Sequence, residues 1–257
     1  MMKHNAYAIG IDIGSTAAKV VVLGEDSESV LQFAQPTGWN GKETAETLRQ
    51  QLKDYLLPES RVAATGYGRV CVEYADKTVT EITCHGRGAA ALFGENGTVI
   101  DVGGQDTKII TLENGRVRDF LMNDKCAAGT GKFIEVMAMR LGTSLEEFYS
   151  LAAEGTPVTI SSMCTVFAES EVISYIGMGQ KREDLAAGII HSVAGRVAQL
   201  AQRHGLTGEV FLTGGLCESA YFLAALSEKL GRDVTSCPEA RYAGALGAAL
   251  TARRLME

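Results

Sequence analysis

Apolar positions along the chain alternate between strand-like and helix-like spacing. Small and β-branched residues predict a strand over residues 6–12, a turn at 14–16 and a second strand over 17–23. Apolar residues then recur at three- and four-residue intervals over 44–56 and 81–93, as in amphipathic helices. Strand and helix patterns keep alternating toward the C-terminus, which predicts an α/β fold.

The second half of the chain contains further helical patterns. Helices are predicted at residues 132–141, 145–153, 166–176, 189–204, 221–230 and 243–255. Short strands are predicted at 158–160 and 210–213. In the helix over 166–176, the side chains expected to face the core are Val166, Val172, Ile173 and Ile176.

The first strand–turn–strand pattern occurs a second time. IGIDIGSTAAKVVVL and TVIDVGGQDTKIITL align Asp12 with Asp101 and Gly14 with Gly103. The two aspartates lie 89 residues apart, which is the length of a domain and not of a solenoid repeat. The sequence therefore predicts a duplicated domain.

Each repeated turn has the features of a phosphate-binding loop. Small residues at a bend let a ligand approach backbone N–H groups that point at phosphate oxygens. The loop residues assigned to the nucleotide are Gly14, Ser15, Thr16, Gly103, Gly104 and Gln105. Asp12 and Asp101 precede the bends and are candidate Mg²⁺ ligands acting through water, while Gln105 is a candidate for orienting an attacking water. Lys19 and Lys108 follow the bends and are expected to be solvated.

A single turn of this kind is more often an ordinary hairpin turn. Two copies in register, with a third Gly-Gly after a strand at Gly214 and Gly215, favour nucleotide binding. Asp12, Asp101 and Gln105 are then the candidate catalytic residues. Glu135 is assigned to the ribose or adenine, with a solvated helix position as the alternative.

The whole chain resembles the actin/heat-shock-70/sugar-kinase superfamily. GIDIGSTAAK resembles its first phosphate motif, VIDVGGQDTK its second and LTGGLCES its adenosine motif, while YAGALGAAL resembles a connecting helix. The resemblance implies duplicated ribonuclease-H-like α/β domains around an ATP cleft. The first domain is expected over residues 1–95 plus 243–257, and the second over residues 96–242.

Composition and charge exclude several partners. The chain has 257 residues and a net charge of −7, with no basic tract, so a nucleic-acid partner is not expected. No uncharged apolar run approaches the length of a membrane span, and Asp12 interrupts what would be the apolar core of an export signal. The six cysteines form no CxxC pair, which argues against a disulfide-stapled secreted domain. A soluble cytoplasmic protein is expected.

Cys126 and Cys164 differ in setting from the other four cysteines, because each precedes a predicted helix. Unpaired N–H groups at a helix N-terminus favour a thiolate, and thiolates are ligands of iron–sulfur clusters. From residue types alone, a cysteine acting as a small buried apolar residue is the commoner case. Two thiolates are half of a [4Fe–4S] site, so a twofold dimer would be needed to complete one.

NDKCAAGTGKF and SSMCTVFAESEVIS closely resemble the cluster-binding segments of the ATP-dependent activators of 2-hydroxyacyl-CoA dehydratases. That family includes the ATPase subunits of benzoyl-CoA reductase. The resemblance implies a homodimer in which Cys126 and Cys164 of both subunits hold one oxygen-sensitive [4Fe–4S] cluster, with ATP/ADP and Mg²⁺ in each subunit. It implies that one low-potential electron passes from a ferredoxin or flavodoxin to an iron–sulfur dehydratase or reductase.

Several titratable residues keep an ordinary interpretation. His85 lacks metal-ligand spacing and is expected to have a core or surface role. Glu169 and Glu171 are expected to be ordinary helix residues, with a contact to the cluster or a partner as the less favoured alternative.

A small-molecule kinase of the same superfamily, such as a sugar kinase without a cluster, is the alternative function. It would need a sugar-binding loop and a catalytic base in the first domain, and residues 38–57 offer no convincing candidate. A chaperone-like ATPase has less support, because 257 residues leave no room for an appended peptide-binding domain.

Overall fold

The computed structural model describes residues 6–162 and 164–257. The chain divides into two compact units. The first contains the N-terminal segment as far as Asn96, together with Leu112–Arg118 and Glu239–Glu257. The second contains Gly97–Thr111 and Asp119–Pro238.

Ten strands and eight α-helices alternate along the described residues, so the predicted α/β class is confirmed. In chain order they are β1 (Ala8–Ile13), β2 (Ala17–Leu23), β3 (Ser29–Pro36), α1 (Gly41–Gln51), β4 (Arg61–Thr65), β5 (Lys77–Thr78), α2 (Glu81–Phe93), β6 (Gly97–Val102), β7 (Thr107–Glu113), β8 (Arg116–Asn123), α3 (Gly131–Leu141), α4 (Leu145–Glu154), α5 (Thr165–Gly177), α6 (Arg182–His204), β9 (Val210–Gly214), α7 (Ala220–Leu230), β10 (Val234–Thr235) and α8 (Ala243–Arg253).

The strands form two five-stranded sheets with the same order. The first is β3-β2-β1-β4-β5 and the second is β10-β9-β6-β7-β8, which is the same arrangement read from the opposite edge. β1 pairs antiparallel with β2 and parallel with β4, and β6 pairs parallel with β9. The duplication visible in the first two strands of each sequence repeat therefore extends to all five strands.

β1 is buried along its whole length, and its side chains alternate between two cores. Ile9 and Ile11 pack in one core with Leu48 of α1. On the other side, a Cβ on Gly10 would overlap the carbonyl oxygen of Ala245 in α8. Strand and helix can lie this close only because residue 10 has no side chain. β1 is thereby fixed between helices on both sides.

α6 is the long helix of the second unit. It contacts α3, α4 and α7, and most of its residues from Leu185 to Ala201 are buried. The helix begins at Arg182, whereas residues 189–204 were predicted. Its first turn is polar, so the apolar pattern did not indicate it. β6 is buried throughout. These two elements provide the fixed frame for the loops described below.

The helix over α5 was expected to bury four apolar residues, and this is wrong for three of them. Val172 is buried, whereas Val166, Ile173 and Ile176 are 66%, 51% and 43% exposed. α5 contacts α3 and α6 through a narrow face that buries Ala168 and Val172. Apolar spacing alone did not reveal which side of the helix is covered.

The predicted strand at residues 158–160 is also wrong, because that segment is irregular. Strands β3 and β8 were not anticipated. Both follow a phosphate-loop hairpin, and many of their positions are exposed or half-buried. Within the described parts of the chain, no helix is both long and apolar enough to span a bilayer.

Candidate nucleotide and thiol sites

The turn between β1 and β2 places Asp12 near the end of a buried strand. Asp12 is 3% exposed and lies in register with Lys19 on β2 and Thr65 on β4. The Gly14 N–H donates to the Ala17 carbonyl at 3.1 Å, which closes the turn. Residues 15 and 16 are exposed at the bend. The bend is therefore open to solvent, and a buried carboxylate lies on the strand that leads into it.

His85 of α2 lies beside this carboxylate. Its Nε2 is 4.0 Å from Asp12 Oδ2 and 3.7 Å from Glu81 Oε1, and its ring is buried. A Cβ on Gly244 of α8 would collide with both Asp12 Oδ2 and His85 Nε2. The core position expected for His85 is thus next to a candidate metal ligand, a neighbour that sequence spacing did not indicate.

The hairpin between β6 and β7 repeats this geometry. The Gly103 N–H donates to the Asp106 carbonyl at 2.9 Å. Asp101 is 1% exposed, and its Oδ1 accepts a hydrogen bond from Thr213 Oγ1 at 2.9 Å. Each loop therefore carries a buried aspartate on its central strand.

The expectation that Lys108 is solvated is wrong. Its side chain is 1% exposed, with Nζ 3.3 Å from Asp101 Oδ2 and 2.6 Å from Asp106 Oδ1. Burial of an ammonium group is tolerated here because two carboxylates lie beside it. Lys19, the equivalent residue in the first copy, is half-buried. The second loop thus contains a buried lysine, and the sequence repeat did not predict that burial.

A Thr-Gly pair lies at the C-terminal end of the strand beside each central strand. Gly66 after β4 and Gly214 at the end of β9 have positive φ angles of 83° and 89°. A Cβ on Gly66 would overlap Asp12 Oδ1, and one on Gly214 would overlap the Val102 carbonyl. Only glycine fits these two positions without strain. The Gly215 N–H donates to the Val102 carbonyl at 3.1 Å, which holds the Gly-Gly turn against β6.

Cys126 lies between β8 and α3 and is exposed. It caps a short 3-10 turn, Ala127–Gly129, and α3 begins only at Gly131, so the thiol does not directly precede α3. Asn123 Nδ2 donates to the Cys126 carbonyl at 2.9 Å. The thiol is therefore presented by a loop whose backbone is held at Cys126 by the Asn123 side chain.

Three hydrogen bonds join this loop to the second phosphate loop. They run from the Gly131 N–H to the Gly103 carbonyl at 2.9 Å, from the Lys132 N–H to the Gly104 carbonyl at 2.8 Å, and from Thr107 Oγ1 to the Gly129 carbonyl at 2.7 Å. Glu135, one turn further along α3, is half-buried and pairs with Lys132 Nζ at 3.0 Å. The candidate nucleotide loop and the Cys126 loop thus share backbone contacts.

Cys164 is exposed and is the N-cap of α5, and its carbonyl accepts the helical hydrogen bond of the Ala168 N–H at 2.8 Å. Glu171 holds the residues ahead of it. Its Oε1 accepts from the Ser161 N–H and Oγ, and its Oε2 accepts from the Ser162 N–H, all at 2.9 Å. Burial raises the pKa of Glu171, but the hydrogen bonds from Ser161 and Ser162 outweigh it and lower the pKa to about 2. This carboxylate, expected to be an ordinary helix residue, anchors the Cys164 segment.

The six free cysteines fall into three classes of exposure. Cys84 and Cys217 are buried, Cys71 and Cys237 are half-buried, and Cys126 and Cys164 are exposed. Burial raises the pKa of Cys84 to about 11, as for an inert core thiol. The two thiols singled out from the sequence are therefore the two that solvent and ligands can reach.

Comparisons with known proteins agree with these features. A sequence model of the BadF/BadG/BcrA/BcrD ATPase family matches residues 9–252. The chain is 45% identical over 251 residues to the (R)-2-hydroxyglutaryl-CoA dehydratase activating ATPase of Acidaminococcus fermentans, and the match covers 96% of each chain. Its structure is similar to that of the activator of the 2-hydroxyisocaproyl-CoA dehydratase from Clostridium difficile with bound ADPNP, with a TM-score of 0.89 and 41% identity, covering 97% of this chain and 95% of that chain.

A more distant likeness bears on the fold alone. A ROK family glucokinase from Streptomyces griseus, solved with glucose and AMPPNP, superposes with a TM-score of 0.62 at 14% identity, covering 97% of this chain and all of that chain. The predicted actin- and sugar-kinase-like fold is confirmed by this match together with the duplicated sheet order.

Proposed function

The chain belongs to the BadF/BadG/BcrA/BcrD ATPase family, and we propose that it couples ATP binding and hydrolysis to the transfer of one low-potential electron to a partner enzyme. Relatives at 42–45% identity are named as activators of 2-hydroxyacyl-CoA dehydratases. The proposal rests on one observation: the unit that contains the second phosphate loop also contains two exposed thiols, Cys126 and Cys164.

ATP is assigned to the two glycine loops and the Gly-Gly turn. Backbone donors at the bends bind the phosphates, and Gln105 orients the attacking water. The residues assigned to the nucleotide are Asp12, Gly14, Ser15, Thr16, Gly103, Gly104, Gln105, Glu135, Gly214 and Gly215. The ADPNP-bound relative supports a nucleotide in this fold.

Mg²⁺ is assigned to the two buried aspartates. Carboxylate oxygen is the donor that Mg²⁺ prefers, and the ion keeps several of its waters. Asp101 already accepts hydrogen bonds from Thr213 and Lys108, so it would hold the ion through water.

An iron–sulfur cluster fits the donor set of the second unit. Cys126 and Cys164 offer thiolate sulfur from exposed positions, and the four remaining cysteines are at least half-buried. A [4Fe–4S] cluster, when bound, supplies a one-electron redox centre. Because one chain offers two suitable thiols, we propose a homodimer in which each subunit supplies Cys126 and Cys164.

The hydrogen bonds between the two loops supply the coupling. A nucleotide that draws Gly103 and Gly104 toward its phosphates pulls on the N–H groups of Gly131 and Lys132. Thr107 transmits the same displacement to Gly129, three residues beyond Cys126. A ligand shifts such an equilibrium only through different affinities for two arrangements of these loops.

The proposed electron donor is a ferredoxin or flavodoxin, and the proposed acceptor is an iron–sulfur dehydratase or reductase. Raising one electron by about 300 mV costs roughly 7 kcal/mol, at about 59 mV per tenfold change in equilibrium constant. ATP is needed to supply this free energy, because without it the electron would not pass from the donor to an acceptor of lower potential.

Anaerobic purification followed by iron, sulfide and visible-absorption analysis tests the proposal. We expect about four irons per dimer. Cys126→Ser and Cys164→Ser should each lose the iron, whereas Cys71→Ser and Cys237→Ser are matched controls at half-buried thiols and should retain it. An iron-free wild-type protein that phosphorylates a sugar would instead establish the small-molecule kinase.

A further inference from the structure

Arg196 lies in the middle of α6 and reaches both cysteine segments. Its guanidinium Nη2 donates a hydrogen bond to the carbonyl of Ser162, two residues before Cys164. The same guanidinium lies 5.8 Å from the ring centroid of Phe133, in the first turn of α3. One side chain therefore contacts the residues just before Cys164 and the helix that follows the Cys126 loop.

The base of the Arg196 side chain packs on the Cys126 loop. A Cβ added to Gly129 would lie 3.5 Å from Arg196 Cβ, in ordinary van der Waals contact. Arg196, Gly129 and Cys126 also line one pocket of about 390 Å³. Arg203, two helical turns further along α6, lines that pocket as well.

The charge of Arg196 is directed at the two thiols. Burial lowers the pKa of its guanidinium, and the charges of Cys126 and Cys164 oppose that shift. An arginine keeps its charge even when it is partly buried. Lys132, a nearby cation on α3, is already paired with Glu135 at 3.0 Å. Arg196 is therefore a cation that lies close to both cysteine segments.

We propose that Arg196 is a positioning residue for the redox centre: it fixes the Cys164 segment through Ser162 and stabilises the reduced form through its positive charge. This inference rests on the proposed function. Reduction adds one electron from an external reductant to the cluster; no covalent bond forms or breaks, and no proton is transferred. Since the reduced form is one unit more negative, a nearby guanidinium stabilises it more than the oxidised form. Removing that charge makes reduction harder.

Two substitutions test the charge. Arg196→Lys keeps the charge and N–H donors but loses the planar guanidinium, whereas Arg196→Gln keeps N–H donors but loses the charge. Arg203→Gln is the matched control, because it removes one positive charge from the same pocket and helix. The anaerobic protein is titrated with dithionite, and the midpoint is read by electron paramagnetic resonance.

We expect Arg196→Gln to be about tenfold harder to reduce, a shift of about 59 mV to lower potential for one electron. Arg196→Lys should stay near the wild-type midpoint, and Arg203→Gln should shift it less than Arg196→Gln does. If Arg196→Gln binds no iron while Arg196→Lys does, the charge is also supported. A wild-type midpoint in iron-loaded Arg196→Gln, an equal shift in Arg203→Gln, or iron loss in both Arg196 variants would overturn the electrostatic role.

Hydrogen exchange in the iron-free protein measures the positioning role separately. Peptides that cover residues 159–164 should exchange faster in Arg196→Leu than in the wild type, because a leucine side chain has no donor for the Ser162 carbonyl. Unchanged exchange would contradict that part of the inference. A wild-type protein that never binds iron contradicts the proposed function itself, which is a different outcome from an iron-loaded protein that ignores the charge of residue 196.

Discussion

Glu171 shows how one side chain can organise the backbone ahead of a candidate ligand. Both of its carboxylate oxygens accept hydrogen bonds, and the three donors belong to Ser161 and Ser162. Arg196 donates a hydrogen bond to the Ser162 carbonyl. The approach to Cys164 is therefore held by one anion and one cation on different helices.

Glu171→Gln should loosen this segment. A neutral amide accepts hydrogen bonds less strongly than a carboxylate, and its NH₂ group faces donors that it cannot accept from. We expect the free energy of unfolding to fall by about 1 kcal/mol, because the site is partly solvated and exposed charge interactions are screened. Thermal unfolding of the iron-free protein at pH 7 measures this, with Glu209→Gln, an exposed carboxylate ahead of β9, as the control.

The pH dependence of this difference has a definite sign. The pKa of Glu171 is about 2 in the folded protein against an ordinary value of 4.5, so the folded state favours the carboxylate. Its stabilising contribution is present above pH 4.5 and is lost as the pH falls toward 2. The gap between the wild type and Glu171→Gln should therefore narrow on acidification below pH 4.5. A gap that widens there would contradict the assigned hydrogen bonds.

At this scale the sequence revealed which residue types recur, but not how charges pair. Asp12 and Asp101 were found because the repeat aligns them, and both are buried next to a turn. Lys108 was misjudged, because a lysine after a loop is usually solvated and only the fold places Asp101 and Asp106 around its Nζ. Arg196 lies in no sequence motif. Its contacts arise from the tertiary packing of α6, so the sequence did not indicate them.

The connection between the second phosphate loop and α3 is a property of whole elements. β7 supplies Thr107, and its hydroxyl donates to the Gly129 carbonyl at 2.7 Å in a buried setting. The N-terminal N–H groups of α3 donate to the loop itself. Because the first N–H groups of a helix have no partner within the helix, they are available for such a connection.

Thr107→Val should weaken this coupling while leaving the shape of the strand nearly unchanged. The substitution removes the hydroxyl donor and leaves the Gly129 carbonyl unsatisfied, at a cost of about 1–3 kcal/mol. In the wild type, we expect ADPNP to slow hydrogen exchange in peptides covering residues 126–132, and this protection should be reduced several-fold in the variant.

The control for that experiment is Thr143→Val. It deletes a similar bond, from Thr143 Oγ1 to the Ala138 carbonyl at 3.1 Å, at the far end of α3. Its response to ADPNP should match the wild type. Equal protection in all three proteins would show that the nucleotide does not act through Thr107.

Elements with strong periodicity were predictable, and edge elements were not. The bounds of α2 agree with the predicted 81–93 because small apolar residues recur along the whole helix. β3 and β8 lie outside the central strands and have many exposed positions, so they lack the dense apolar pattern of β1 and β6. The face of α5 was misassigned for the opposite reason, since the helix is apolar on sides that this chain alone does not cover.

Across the whole molecule, a duplicated sheet has acquired two different specialisations. In the first copy His85 lies beside both Asp12 and Glu81, whereas in the second copy Asp101 lies beside Lys108 and Thr213. The second unit also carries both exposed thiols. The exposed apolar side chains of α5 begin directly after Cys164, where the proposed dimer would place a second subunit.

The central claim is that two chains share one redox cluster, and native mass spectrometry under anaerobic conditions tests it most directly. We expect a dimer that carries a single set of four irons and four sulfides and that separates into monomers when the iron is removed. Cys126→Ser and Cys164→Ser should give iron-free monomers. A dimer that persists without iron, a monomer that carries all four irons, or a wild-type protein without iron would contradict the shared cluster.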